Sequence, residues 1–152
     1  MITIIKESST RIKTGIILIL AMLVLGYIDS YFLFWLVFGI MLMISISESK
    51  KLYGLKSDSI YVYTSLLWFA AFFYPMPVDL IFIVAIGYAS QLAYKKTLNQ
   101  KLFLPLLYPT ASYLFLLALY SEYGVMTLLW LLIIVASTDI GAYFVGKSFG
   151  KT

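Results

Sequence analysis

Apolar segments alternate with short polar breaks along the whole chain. The segments occupy residues 15–28, 31–47, 60–74, 78–94, 102–120, and 125 into the stretch after 137. A helix needs about 20 predominantly apolar residues to cross a hydrocarbon core of about 30 Å, so segments of this kind predict membrane-spanning helices. The predicted fold is all-α: a polytopic transmembrane helical bundle of about six spans.

Local composition predicts how the spans begin and end. The first segment is short, so either Arg11 and Lys13 reach the membrane surface along their aliphatic stems, or neighbouring helices thin the bilayer locally. Residues 48–59 are predicted to form an aqueous loop. Pro105 and Pro109 lie four residues apart near the start of the fifth segment, and a proline inside a helix removes a hydrogen bond. An irregular or kinked start is therefore predicted there.

Basic residues are confined to alternate connections between the segments. The N-terminal stretch, the 48–59 loop, the 95–101 loop and the C-terminal end hold all 11 Lys and Arg residues. The other connections carry only Asp29, Asp79 and Glu122. Because cytoplasmic loops are enriched in Lys and Arg, this pattern predicts six spans with both termini in the cytoplasm.

Composition agrees with a membrane protein and restricts its chemistry. The chain is 62% apolar and 12% charged, with a mean hydropathy of +0.97, against about 45–50% and about 25% in soluble domains. A single transmembrane domain over residues 1–152 is predicted, and no nucleic-acid partner is expected. Cysteine and histidine are absent, so a bound metal would need oxygen ligands, as magnesium, calcium and manganese prefer.

The chemically capable residues concentrate between Ser137 and Thr152. On a helix, the spacing of four of them is i, i+4, i+7 and i+11, which places them on one face: Asp139, Tyr143, Gly146 and Gly150. Lys147 and Lys151 follow at the predicted cytoplasmic end. A carboxylate can bind a cation, small residues open a groove, and lysines can contact phosphate. The face therefore suits a phosphorylated substrate that approaches from the cytoplasm.

Simpler explanations exist for parts of this cluster. Gly146 and Gly150 form the small-xxx-small spacing of close helix packing in membranes, and the two lysines could be interface anchors. Asp139 is harder to explain in this way, because an ionisable group beside an apolar helix is costly unless it is functional or interfacial. Residues 141–148 match the pattern of a nucleotide-binding P-loop, but that loop requires a strand and a helix of an α/β sheet.

Other polar residues lie inside the predicted spans. They could line a cavity or form hydrogen bonds between helices, and the second role is favoured. They are Ser90, Gln91, Thr110 and Ser112.

Residues 139–152 resemble the motif Asp-x-x-Ala-Tyr-x-x-Gly-x-x-x-Gly-Lys of the phosphatidate cytidylyltransferases, also called CDP-diglyceride synthases. The segments Leu104-Pro105-Leu-Leu-Tyr108-Pro109 and Trp130-Leu-Leu-Ile-Ile-Val-Ala-Ser are also similar to bacterial members. The resemblance implies a multi-pass enzyme of phospholipid biosynthesis in a bacterial-type inner membrane. Its substrates would be CTP and phosphatidic acid, and its cofactor would be Mg²⁺. It would contact membrane lipids and form a homodimer.

The same resemblance implies roles for individual residues. Asp139 would be catalytic and support the metal, and Lys151 would be a second catalytic residue. The substrate-binding residues would be Tyr143, Gly146, Lys147 and Gly150.

Family members continue beyond this motif with further spans and a C-terminal signature rich in Lys, Asp and His. The chain is therefore expected to be the N-terminal part of a longer enzyme and to be inactive by itself. Two alternatives stay open. One is a non-catalytic membrane protein, such as a transporter or assembly subunit, and the other is a related lipid or polyprenol kinase.

Overall fold

A computed structural model describes residue 17 and residues 19–94 and 100–149. Over these residues the regular structure is helical, without a strand. The helices are α1 (Ile19–Ile28), α2 (Tyr31–Leu52), α3 (Ser59–Phe73), α4 (Asp79–Tyr94), a 3₁₀ turn (Gln100–Leu102), α5 (Phe103–Leu107), α6 (Thr110–Tyr123) and α7 (Val125–Phe149). The prediction of an all-α fold is confirmed.

Three described helical stretches are long and apolar enough to cross a membrane. They are Tyr31–Leu52, Gln100–Tyr123 and Val125–Tyr143. Helices α1, α3 and α4 are also apolar but shorter. The chain is thus a helical membrane protein, while the number of spans and the side of the termini stay predictions.

Helix α2 extends further than the polar composition of its last residues predicts. The loop expected to begin at residue 48 begins only after Leu52. Gly54 then adopts a positive φ of 64°, and its N–H donates to Lys51 O at 3.2 Å while Leu55 N–H donates to Lys50 O at 3.0 Å. These paired bonds are the Schellman termination of a helix. The helix therefore ends at the glycine with positive φ, because polar residues alone do not break it.

The fifth apolar segment has the irregular start that its prolines predict. The 3₁₀ turn and α5 lead to Tyr108, whose φ of −130° and ψ of 117° are extended. The residue before a proline is disfavoured in the helical region, so α5 ends there and α6 starts after Pro109. Thr110 Oγ1 donates to Pro105 O at 3.0 Å across the break. This bond joins α5 to α6 within one predicted segment, and the role between separate spans that the sequence favours for Thr110 stays a prediction.

The chain separates into two compact units, Met1–Ser30 with Tyr123–Thr152, and Tyr31–Glu122. In the first unit, a Cβ atom at Gly26 would lie 3.2 Å from Val125 Cγ2. The end of α1 therefore approaches the start of α7 closely.

In the second unit, α2 and α3 are joined by two tryptophans. Trp35 Nε1 donates to Trp68 O at 3.0 Å, and Trp68 Nε1 donates to Trp35 O at 3.2 Å. A Cβ atom at Gly39 would collide with the Trp68 indole, coming within 2.9 Å of Cδ1. Glycine at this position therefore permits the close approach of the two helices, as small residues do in membranes.

Helix α6 is linked to α2 by a polar contact inside the same unit. Ser45 Oγ lies 3.1 Å from Tyr113 OH. About three turns away, towards the start of α2, the rings of Phe34 and Tyr120 have centroids 4.3 Å apart. These contacts combine aromatic packing with an interhelical hydrogen bond, and neither polar partner was singled out from the sequence.

Candidate active site on α7

Helix α7 carries the predicted site residues that the structure describes. The helix is continuous from Val125 to Phe149, so Asp139, Tyr143 and Gly146 lie on one face, with about 10 Å along the axis between the first and the last. Lys147 follows in the same helix, but its side chain lies outside the described part, as do Gly150 and Lys151.

This face of α7 is open. Asp139 and Gly146 are exposed, and Tyr143 is 58% exposed. Among the described residues, and apart from the local backbone of α7 itself, no heavy atom lies within 4 Å of the place where a Cβ would stand at Gly141 or Gly146. A substrate or another helix could therefore approach the backbone closely beside the carboxylate.

Polar residues near Asp139 do not interrupt the helix. Thr138 Oγ1 donates to Ile134 O at 2.8 Å, so its hydroxyl is satisfied by the preceding turn. The carboxylate is thereby held on a regular helix, which defines its position better than a loop would.

The carboxylate of Asp139 could serve as one ligand of a metal ion. No group of three or more acidic, cysteine or histidine side chains that could hold a metal occurs within the described ranges. Mg²⁺ is usually bound through one or two protein carboxylates together with substrate phosphates and water. A single exposed carboxylate on an open face is compatible with that arrangement.

A second polar cluster lies in the other unit, at the turn between α2 and α3. Lys50 forms an ion pair with Asp58, and its ammonium lies 5.5 Å from the centre of the Tyr61 ring. For Lys50 and Asp58 the sequence predicts only an ordinary aqueous loop, and Tyr61 lies in the apolar segment that follows it. The sequence does contain a signal for this ion pair: a positive charge at Lys50 and a negative charge at Asp58 lie on either side of Gly54, and a turn at that glycine brings them together.

These observations define a polytopic α-helical membrane protein with an exposed carboxylate, a tyrosine and glycines along one helix. Comparison with known proteins places it further: the profile of the Cytidylyltransferase family matches residues 9–152. The chain belongs to this family, which confirms the resemblance found in residues 139–152.

Two curated relatives cover nearly the whole chain. Both are named phosphatidate cytidylyltransferase, come from two strains of Helicobacter pylori, and are 37% identical to the chain over 148 residues. The alignment covers 97% of this chain and 55% of each relative. The chain therefore spans about half the length of the curated relatives it matches. No solved structure matches it.

Proposed function

We propose that this protein acts in the phosphatidate cytidylyltransferase reaction, which converts CTP and phosphatidate to CDP-diacylglycerol and diphosphate. The observation that carries the proposal is the alignment of 97% of the chain with proteins of that name. The open face of α7 adds support, because it presents a carboxylate and a tyrosine beside glycines that leave room for a ligand.

The reaction requires little covalent chemistry from the protein. A phosphate oxygen of phosphatidate attacks the α-phosphorus of CTP, a new P–O bond forms, and the bond from that phosphorus to the bridging oxygen breaks as diphosphate leaves. The barrier is lowered by aligning the two polyanions and offsetting their charge. Mg²⁺, when bound, would supply positive charge beside the phosphates.

Residues of the α7 face have separate parts in this proposal. Asp139 holds the cation, and Tyr143 offers its hydroxyl to a phosphate oxygen. Lys147 and Lys151 contribute positive charge to the phosphates. The two glycines, Gly146 and Gly150, allow the substrate to approach the backbone.

The length of α7 supports a substrate with both a lipid and a water-soluble part. Measured from Val125, Asp139 lies about 21 Å along the helix axis and Gly146 about 31 Å, at a rise of about 1.5 Å per residue. With Val125 at one boundary of a core of about 30 Å, the face would extend from within the bilayer to its opposite boundary. A lipid phosphate and a nucleotide could meet along it.

The family match favours nucleotidyl transfer over the two alternatives derived from the sequence, a non-catalytic subunit and a lipid kinase. Transfer of label from CTP separates the reactions further. Label from the α-phosphate would enter the lipid product of a cytidylyltransferase, whereas a kinase would transfer the γ-phosphate.

A chimaera tests the proposal directly. Residues 1–152 would replace the aligned part of an H. pylori relative, and membranes containing the chimaera would be supplied with CTP, phosphatidate and Mg²⁺. We expect CDP-diacylglycerol to form and diphosphate to be released. A chimaera that inserts and folds as the parent does, yet forms no product, would contradict the proposal.

We propose that the protein lies in a bacterial-type inner membrane with both termini cytoplasmic, as its loop charges suggest; a homodimer rests on the family resemblance alone. Topology can be tested because the chain has no cysteine. Single cysteines at Ser30 and Glu122 should react with an impermeant thiol reagent in intact cells. Cysteines at Lys56 and Lys101 should react only after the membrane is opened, and the reverse pattern would refute this topology.

A further inference from the structure

An apolar groove of about 470 Å³ lies between α2 and α3 on the surface of the second unit. Its volume falls within the roughly 300–1,000 Å³ of small-molecule pockets. We call it the α2–α3 groove, and its principal lining residues are Trp35, Gly39, Ile44, Ser65, Trp68 and Phe69. Ile44 and Phe69 are 57% and 59% exposed, so the groove is open along its rim.

The groove has the dimensions and setting of an acyl-chain site. It extends about 14 Å along α2, from Trp35 to Ile44. Helix α2 is one of the described stretches apolar enough to span a membrane, so the exposed rim of the groove would face hydrocarbon if α2 spans. Both indole N–H groups are bonded to backbone carbonyls, which leaves an almost entirely apolar wall.

Beyond one end of the groove the chain becomes basic. Lys50 lies seven positions after the groove residue Met43, on the same face of α2. Asp58 lies seven positions before the groove residue Ser65. The ion pair between Lys50 and Asp58 is therefore about 10 Å beyond the end of the groove. Lys51 follows Ile44 by seven positions and is exposed.

The charges at this end are predominantly positive. Lys56 is exposed in the turn between the helices, so Lys50, Lys51 and Lys56 stand against the one carboxylate of Asp58. Glu48 is also exposed, but it follows Met41 by seven positions and so lies on the flank of α2 outside the groove.

We propose that the α2–α3 groove binds one acyl chain of an anionic phospholipid, whose phosphate lies against Lys51 and Lys56. An apolar wall inside the bilayer with excess positive charge at headgroup distance favours a lipid of net negative charge over a zwitterionic one, because the ammonium group of a zwitterionic headgroup offsets the attraction of its phosphate. Each lysine near a membrane surface favours an anionic lipid by about fivefold. The site uses no residue of the α7 face, and its lipid preference can be measured without the cytidylyltransferase reaction.

Tryptophan fluorescence tests the site in the full chain. The chain has three tryptophans, and Trp130→Phe leaves only Trp35 and Trp68, which line the groove. This variant would be reconstituted in phosphatidylcholine vesicles that contain a minor fraction of bromine-labelled phosphatidylglycerol or, in parallel, bromine-labelled phosphatidylcholine. We expect the anionic lipid to quench with a relative binding constant at least about fivefold higher.

Two further variants separate the headgroup contact from the groove. Lys51→Gln with Lys56→Gln should bring the preference close to onefold, whereas Lys101→Gln, which removes a charge from the 3₁₀ turn before α5, should leave it unchanged. Ser65→Phe should fill the groove and reduce quenching by both lipids. Equal quenching by the two lipids, or a preference that survives the double lysine substitution, would overturn the proposal. If quenching depended only on the protein-to-lipid ratio, a second copy of the protein would occupy the groove in place of a lipid. That result would also overturn the proposal.

Discussion

Helices α2 and α7 are both apolar enough to cross a membrane, with mean hydropathies of 1.9 and 2.0, but they are packed differently. In the apolar stretch of α2 that could cross a membrane, 28% of the residues are buried. In the corresponding stretch of α7, 6% are buried. The difference shows that apolarity does not determine packing in a membrane protein. Lipid is as apolar as a leucine side chain, so helices associate through shape and polar contacts.

The packed helix and the open helix carry different kinds of residue. Along α2, Gly39 and Trp35 fit against Trp68 of α3. Along α7, Asp139 and Gly146 face open space among the described residues. We therefore expect substitutions on α2 to affect stability, and substitutions on the open face of α7 to affect activity.

The largest effect is expected at Asp139. In the chimaera, Asp139→Asn should lower the rate of CDP-diacylglycerol formation by a factor on the order of a hundred, the size typical of losing one electrostatic contact in a transition state. Its thermal unfolding in detergent should not change, because the carboxylate is exposed. Glu122→Gln, which removes an exposed carboxylate at the end of α6, is the control and should retain activity. Full activity of the Asp139 variant would remove this residue from the site.

A pair of glycine substitutions compares the two helices most directly. Gly39→Ala places a methyl group against the Trp68 indole, which is 96% buried (4% exposed) and held by two hydrogen bonds. Overpacking of this kind costs about 1–3 kcal/mol. Gly146→Ala meets nothing among the described residues and gains up to about 1 kcal/mol of helix propensity.

The measurement for this pair is unfolding in detergent, followed by circular dichroism. The Gly39 variant should unfold at lower temperature than the parent chain, and the Gly146 variant at the same or a higher one. Equal destabilisation of both would show that α7 is packed as tightly as α2. A Gly146 variant that is stable but less active in the chimaera would support a ligand near this glycine.

The smallest effect is expected for the hydrogen bond between α2 and α6. Tyr113→Phe retains the ring and removes the hydroxyl that contacts Ser45 Oγ, and interhelical bonds of this type contribute about 0.6 kcal/mol on average. Thr138→Ala on α7 is the matched control, because that hydroxyl bonds within its own helix. We expect a small loss of stability in the first variant and none in the second. A loss of the same size in both would show that the interhelical contact has no specific effect.

Much of the candidate site follows from local sequence. The spacing from Asp139 to Gly146 is helical, the segment contains no proline, and a helix of 25 residues forms over it. Local geometry is sufficient to place residues four and seven apart on one face. The family resemblance likewise depends on a short motif in this region, and the family match confirms it.

The turn after α2 was not predicted, although the residues that form it are close in sequence. Helix α2 continues through Glu48, Lys50 and Lys51, although their polarity suggests a loop, and it ends only at the Schellman turn formed by Gly54. That extension positions Lys50 for its ion pair with Asp58. Polar composition is a correlate of loops, whereas the helix stops where a backbone can adopt positive φ.

The sequence alone therefore determined the membrane class, the helical segments and the common face of Asp139, Tyr143 and Gly146, because each depends on composition or on the period of one helix. The tertiary structure decided that α2 packs through Gly39, and that a groove opens beside it. In a hydrocarbon solvent, buried and lipid-facing positions are both apolar, so the hydropathy pattern does not distinguish them. Only the fit of one helix against another does.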